Sequence, residues 1–269
     1  MAQHYKTAVS ASHFHLIKWP RPWEQARVFC QTYYVDLAAL STEEQYLRLQ
    51  DDIPTQKASF WLGLKRDNQH SDWKWVSNEE LSYDRWYHIN KGVRCGSLKA
   101  VESKDRRLLG RYCKEHHSSV CQGPVGPQKA LLESLGCDHL TATWNVSASM
   151  RDVDHAYNIT MCGATCDTFL YVYYTGINHT SVSINLYNLT CSSSYVMNIT
   201  ATVTRLDAAT GKNTTLQSST MTMSMTTAPS GVHPGTHTWL ILAIFAFLAL
   251  TVALLLFIFC HRPHTCSGQ

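Results

Sequence analysis

The sequence predicts an α+β domain, then an all-β sandwich, then one transmembrane α-helix. Apolar residues first recur at helical spacing and in short aromatic-rich runs, then alternate with period two beyond Gly123. Near the C-terminus, an uncharged apolar run has the length of a membrane span. The 269 residues accommodate about two ordinary domains besides such a span. Composition divides them into a leader at 1–12, the α+β domain at 13–123, the sandwich at 124–217, a Ser/Thr-rich stalk at 218–238, the span at 239–260 and a tail at 261–269. A net charge of +3 and a pI near 8.3 fall short of the basic balance of a nucleic-acid binder, so no such partner is expected.

In the first domain, Trp23, Ala26, Phe29 and Cys30 fall on one helical face, so PWEQARVFCQTY is expected to be an amphipathic helix entered just after a proline. Ser41 with Glu44 three residues on reads as a capping box, which starts a second helix near Thr42 carrying Tyr46, Leu47 and Leu49. FWLGL at 60–64 and DWKWV at 72–76 have the content of short strands.

These residues carry a resemblance. The order W-x-x-A-x-x-x-C at Trp23–Cys30, WLGL at 61–64, WKW at 73–75, Trp86, then Cys95, Cys113 and Cys121 resembles a C-type lectin-like domain over about His13 to Gly123. The resemblance implies disulfides Cys30–Cys121 and Cys95–Cys113. On the chain-entropy model these contribute roughly 4–5 and about 3 kcal/mol.

Past GPVGP at 123–127, which reads as a linker, the period changes. Leu140, Ala142 and Trp144 share one parity, as do Tyr157, Ile159 and Met161, and again Tyr195, Met197, Ile199 and Ala201, which predicts half-buried strands. Asn145, Asn158 and Asn198 fall on the opposite parity, where a glycan needs them. Leu189 followed six residues later by Tyr195, with Trp144 as an inter-sheet anchor, is similar to fibronectin type III domains. Cys137, Cys162, Cys166 and Cys191 belong to this region, and four cysteines permit three connectivities.

The run from Trp239 to Cys260 carries no charge and rises about 33 Å as a helix, enough to cross a hydrocarbon core of about 30 Å. Arg262 follows it, which places the tail in the cytoplasm and the N-terminal part outside, as a single-pass type I plasma-membrane protein. Six sequons, at Asn145, Asn158, Asn178, Asn188, Asn198 and Asn213, all precede the span, as glycosylation requires. So do eight of the ten cysteines, an even set that reads as disulfides in an oxidising compartment. No apolar signal-peptide core stands at the N-terminus, so the sequence is expected to be part of a longer chain, the alternative being insertion driven by the C-terminal span itself.

Many C-type lectin-like domains hold calcium on six to eight oxygens, supplied by Glu-Pro-Asn or Gln-Pro-Asp and by Trp-Asn-Asp. Here YHINKGVR stands between Trp86 and Cys95 with Asn90 as the one remnant, and Leu108, Leu109 and Gly110 occupy the Trp-Asn-Asp positions. No metal and no cofactor are therefore expected. The same segment is net basic, and Lys91, Arg94, Lys99, Lys104, Arg106, Arg107 and Arg111 are the candidate ligand-binding residues, suited to an acidic protein or glycan. Trp86, Tyr87 and His88 are candidates for the contact surface, though aromatic residues are more often core. Cys113, His116, His117 and Cys121 offer zinc donors at the wrong spacing for a finger. No G-x-S-x-G, H-E-x-x-H or phosphate-cradling glycine loop appears, so no catalytic residues and no enzyme activity are expected. The sequence thus reads as a cell-surface receptor or adhesion protein that binds an extracellular protein or glycan without calcium. The alternatives are a carbohydrate-binding lectin lacking the usual motifs and a purely structural surface glycoprotein.

Overall fold

A computed structural model describes residues 13–53, 59–99, 107–175 and 180–230. The expected leader, Lys104, Arg106, the sequon at Asn178, the last part of the stalk, the span and the tail lie outside the described residues. Among the described residues no helix is long and apolar enough to cross a membrane.

The first domain runs β1 (Phe14–Arg21), α1 (Trp23–Tyr33), β2 (Asp36–Leu37), α2 (Glu43–Asp52), β3 (Ser59–Lys65), β4 (Lys74–Trp75), β5 (Trp86–His88), β6 (Cys95–Lys99), β7 (Leu108–Arg111) and β8 (His117–Gln122). Its sheet has the order β1-β8-β3-β6-β7-β5, with β2 added on β8 and β4 on β3. α1 begins directly after Pro22, whose fixed φ suits a helix entry, and buries Trp23, Ala26 and Cys30 as its spacing predicts. α2 is capped one residue later than expected. Thr42, in extended conformation, accepts from the Gln45 amide while the Gln45 side chain accepts from the Thr42 amide. Ser41 instead turns its hydroxyl to Glu79, and Glu44 pairs with Arg48 at 2.6 Å.

Tyr46, Leu49, Phe60, Leu62, Leu64, Trp75, Leu98, Leu108 and Val120 form one core, and α1 packs a second around Trp61 and the disulfides. The buried indoles are satisfied by distant backbone: Trp23 Nε1 donates to the Leu62 carbonyl at 2.8 Å and Trp61 Nε1 to that of Arg21 at 2.7 Å. Cys30–Cys121 ties α1 to β8, and Cys95–Cys113 ties β6 to the turn after β7.

The second domain continues with β9 (Ala130–Leu135), β10 (His139–Asn145), a 3-10 turn at Ala148–Met150, β11 (His155–Cys162), β12 (Cys166–Tyr173), β13 (Ser181–Tyr187), β14 (Ser194–Leu206), β15 (Asn213–Gln217) and β16 (Met221–Thr226). β13-β10-β9 form one sheet and β12-β11-β14-β15 the other, with β16 also on β14. Between them lie Leu140, Ala142, Trp144, Tyr157, Ile159, Met161, Met197, Ile199 and Ala201, the parities read from the sequence. Trp144 meets Tyr157 edge-on at 5.2 Å, which joins the sheets. The Thr190 amide donates to the Tyr195 hydroxyl at 2.8 Å. Of the three connectivities, the structure has Cys137–Cys191 and Cys162–Cys166.

Two compositional boundaries are corrected. The stalk does not begin at residue 218: Met221–Thr226 pairs with Ser194–Ile199, and Met225 is buried. Met221, Met223 and Met225 alternate with Thr and Ser, a strand pattern that Ser/Thr-rich composition masks. GPVGP is not a loose linker either. Residues 123–127 are buried, Val125 sits in the sandwich core, and a Cβ on Gly126 would lie 2.6 Å from Ser218 Oγ. Across the same joint, Arg205 Nε donates to the Tyr34 carbonyl at 2.7 Å, Gln122 Nε2 to Ser149 Oγ at 2.9 Å, and Val35 joins the sandwich core.

Candidate functional site

The candidate cations divide by burial. Lys91 and Arg94, in the turn between β5 and β6, are exposed, and Arg94 Nη1 donates to the Asp67 carbonyl at 3.2 Å. Lys99 closes β6 with its ammonium 4.3 Å over the ring of Tyr87, a cation–π contact that orders both. Arg107 is withdrawn from the face: it is 2% exposed, and its amide donates to the buried Tyr46 hydroxyl at 3.0 Å. It stands directly before β7, an inner strand with β6 on one edge and β5 on the other, and its amide faces the core hydroxyl. Arg111 is half-buried at the far end of the same strand, donating to Ser59 Oγ at 3.2 Å and facing Glu115 Oε2 at 3.5 Å. Burial pushes the Glu115 carboxyl up, but His117, the Tyr112 amide and Arg111 outweigh it and hold the group below the usual carboxylate range. Arg111 thus belongs to an internal ion-pair network.

The cationic face left among the described residues is Lys91, Arg94 and Lys99. Beside it stand three large side chains that solvent reaches: Tyr87 (57% exposed), Tyr112 (56%) and Ile89 (39%). The Tyr112 hydroxyl reaches the Lys91 carbonyl at 3.5 Å, which fixes its ring against the turn. Tyr87 was among the sequence candidates; Tyr112 and Ile89 were not. Neither stands in a pattern that reveals exposure, because both lie outside the periodic run of a strand. Trp86, by contrast, is partly buried on the core and packs on Trp73 at 4.7 Å. These two indoles border an open groove of about 620 Å³ with Arg66, Asp72, Glu80 and Asp84 on its rim.

The donor set does not fit the calcium ion that many such domains carry. Leu109, 8% exposed, and Gly110 stand where the Asn and Asp oxygens are expected, and Leu108, fully buried, stands at the Trp position. At Gly110 an added Cβ would lie 2.6 Å from Val93 Cγ2 and 3.4 Å from Ile89 Cγ2, so the volume a carboxylate needs is filled by aliphatic groups. Asn90 Oδ1 is taken by His88 Nε2 at 2.6 Å. Among the described residues, too few free oxygens converge to replace a hydration shell. The zinc-like string is accounted for as well: both cysteines are in disulfides and His117 Nε2 meets Glu115 Oε2 at 2.9 Å.

Comparison with known proteins identifies the first domain. Residues 20–123 match the family model described as Lectin C-type domain, and this part of the chain is a C-type lectin-like domain. L-selectin from Bos taurus is 33% identical over 70 residues, 26% of this chain and 18% of that protein. Killer cell lectin-like receptor 4 from Mus musculus is 29% identical over 104 residues, 38% of this chain and 36% of that protein. The chain therefore spans only a fifth to about a third of the length of these relatives. Among solved structures, human lithostathine superposes with a TM-score of 0.37 at 20% identity, covering 44% of this chain and 95% of that one.

Proposed function

We propose that the protein is a cell-surface receptor or adhesion molecule whose C-type lectin-like domain binds an acidic extracellular ligand without calcium. One observation carries the reading. Where calcium-holding oxygens are expected stand buried Leu109 and the packed Gly110, while the neighbouring turn exposes Lys91 and Arg94 beside Tyr87, Tyr112 and Lys99. Apolar aromatic area flanked by cations suits a carboxylated or sulfated partner, which the positive field attracts before contact forms. The match to a selectin and to a killer-cell receptor supports the class.

The rest of the chain supports a surface location. The apolar run Trp239–Cys260 serves as a type I anchor. Asn145, Asn188 and Asn213 are exposed on the second domain, and Asn158 and Asn198 lie on the outer face of its larger sheet, which suits glycans. That domain is read as fibronectin type III-like. Its three strands β9, β10 and β13 face β12-β11-β14, and the Tyr195 hydroxyl is tied back to the Thr190 amide. A binding role without catalysis is the reading for both domains.

Cells displaying the full chain, probed with fluorescent heparin and with sialylated glycans across a salt series, test this. Binding should weaken as salt rises, persist in EDTA, and fall roughly tenfold when Lys91, Arg94 and Lys99 are all changed to Gln. Loss in EDTA, or indifference to the triple change, contradicts the reading. A second reading, a neutral sugar as ligand, is favoured by the groove at Trp73 and Trp86, where indole faces and carboxylate rims suit a polyhydroxylated ring. In that case Trp73→Ala abolishes binding and the charge changes do not.

A further inference from the structure

We infer that the free edge of β12 is a homotypic contact: it pairs antiparallel with β12 of a second copy of this chain, joining two larger sheets into one. β12 is the last strand of its sheet, hydrogen-bonded to β11 on one side and to no other described strand. Such an edge presents a row of backbone donors and acceptors to any matching strand, and most sheet proteins blunt it with lysine, proline, a bulge or a cover. Among the described residues β12 has none of these. Its register with β11 is unbroken from Tyr173 to Cys166, and CDTFLYVY contains one charge, Asp167. Cys162–Cys166 joins β11 to β12 across the hairpin.

The side chains on this edge are apolar where solvent would favour polar ones. Phe169 (39%), Leu170 (65%), Val172 (42%) and Tyr174 (58%) are all exposed within six residues. The other long edge of this sheet differs, since β15 and β16 are separated by a break at Ser218–Thr220, where Ser218 turns its hydroxyl to the Ala201 amide.

A second copy is the occupant because the strand complements itself. Antiparallel pairing about Leu170 sets Leu170 against Leu170, Phe169 against Tyr171 and Thr168 against Val172 of the other copy. Asp167 then faces Tyr173, and no like charges are opposed, as a two-fold contact demands. The contact rests on the described strand and is independent of the ligand face in the first domain. An eight-residue strand pair buries less than the roughly 1,200–2,000 Å² of a standard stable interface. The pairing is therefore weak in dilute solution and depends on local concentration, which an anchor within residues 231–269 supplies.

Disulfide trapping on the full chain at the cell surface tests it. Leu170→Cys, at an exposed position with little cost to folding, should give a homodimer on a non-reducing gel as the major species. Ser224→Cys, on exposed β16, should stay monomeric. Adding Thr168→Lys and Val172→Lys opposes lysines across the contact twice and should return Leu170→Cys to the Ser224→Cys background, with surface display unchanged. Absence of the homodimer, equal trapping at Ser224, or insensitivity to the lysines overturns the inference. Trapping that appears only with Asn158→Gln also overturns it, because the edge is then covered by a glycan at Asn158, which lies directly opposite Leu170 on β11. A cross-linked species containing a different polypeptide in place of the homodimer overturns it in favour of a heterotypic strand.

Discussion

Arg94 and Arg107 lie in the same basic segment, and replacing them should give opposite signatures. Arg94 is exposed, so Arg94→Gln should leave stability within about 0.5 kcal/mol and lower affinity for acidic ligands. Arg107 is buried, so Arg107→Ala should lower stability by about 2 kcal/mol, read from the denaturant midpoint, before any effect on binding is considered. The sequence shows that both are cationic, but Arg107, Leu108 and Leu109 are consecutive and all buried, so no alternation warns that Arg107 is withdrawn. His155 makes a second residue-scale prediction. Stacked on Tyr173 at 4.6 Å, its imidazole is held below the ordinary 6.5 by burial, against the opposing pull of the Val153 carbonyl and Asp154. The unfolded chain then takes up the proton first as pH falls. Stability attributable to this site is complete above pH 6.5 and is lost as pH drops toward the folded value. His155→Phe should flatten that part of the stability profile measured between neutral and mildly acidic pH.

Among the elements, those legible in the sequence are the ones whose periodicity coincides with burial. α1 shows its buried stripe, and β10, β11 and the first half of β14 alternate because one face of each meets the opposite sheet. β12 was not legible for the complementary reason: as an overhanging edge it is exposed on nearly every residue, so its apolar run has no polar alternation to set its period. β16 was hidden by its threonines, and the cap of α2 by two adjacent hydroxyl residues that both suit the position. The disulfides of the second domain make a prediction at this scale. Cys137–Cys191 closes a loop of 54 residues and Cys162–Cys166 one of only 4. On the chain-entropy model the first contributes about 4 kcal/mol and the second about 2. Paired Cys→Ser changes should therefore lower the unfolding midpoint of this domain about twice as far for the long loop. Equal losses would show that native packing, rather than chain entropy, decides.

At the scale of the molecule, the packed joint means that the lectin-like domain is carried on the sandwich rather than strung from it. Gly126→Ala forces a methyl group into Ser218, and should cost about 1–3 kcal/mol and speed proteolytic cutting near residues 123–127. Holding the head in this way leaves the turn of Lys91 and Arg94 exposed and keeps the free β12 edge in the second domain. The proposed recognition rests on charge and aromatic area, with aliphatic side chains packed around Gly110 where a metal cage would need volume. Thermal unfolding of the purified full chain across a calcium titration tests that claim most directly, since an ion bound to the native state at one hundred times its Kd would add about 2.7 kcal/mol. The midpoint should stay unmoved from EDTA to millimolar calcium. An upward shift that EDTA reverses and that disappears with Asn90→Ala would contradict the claim.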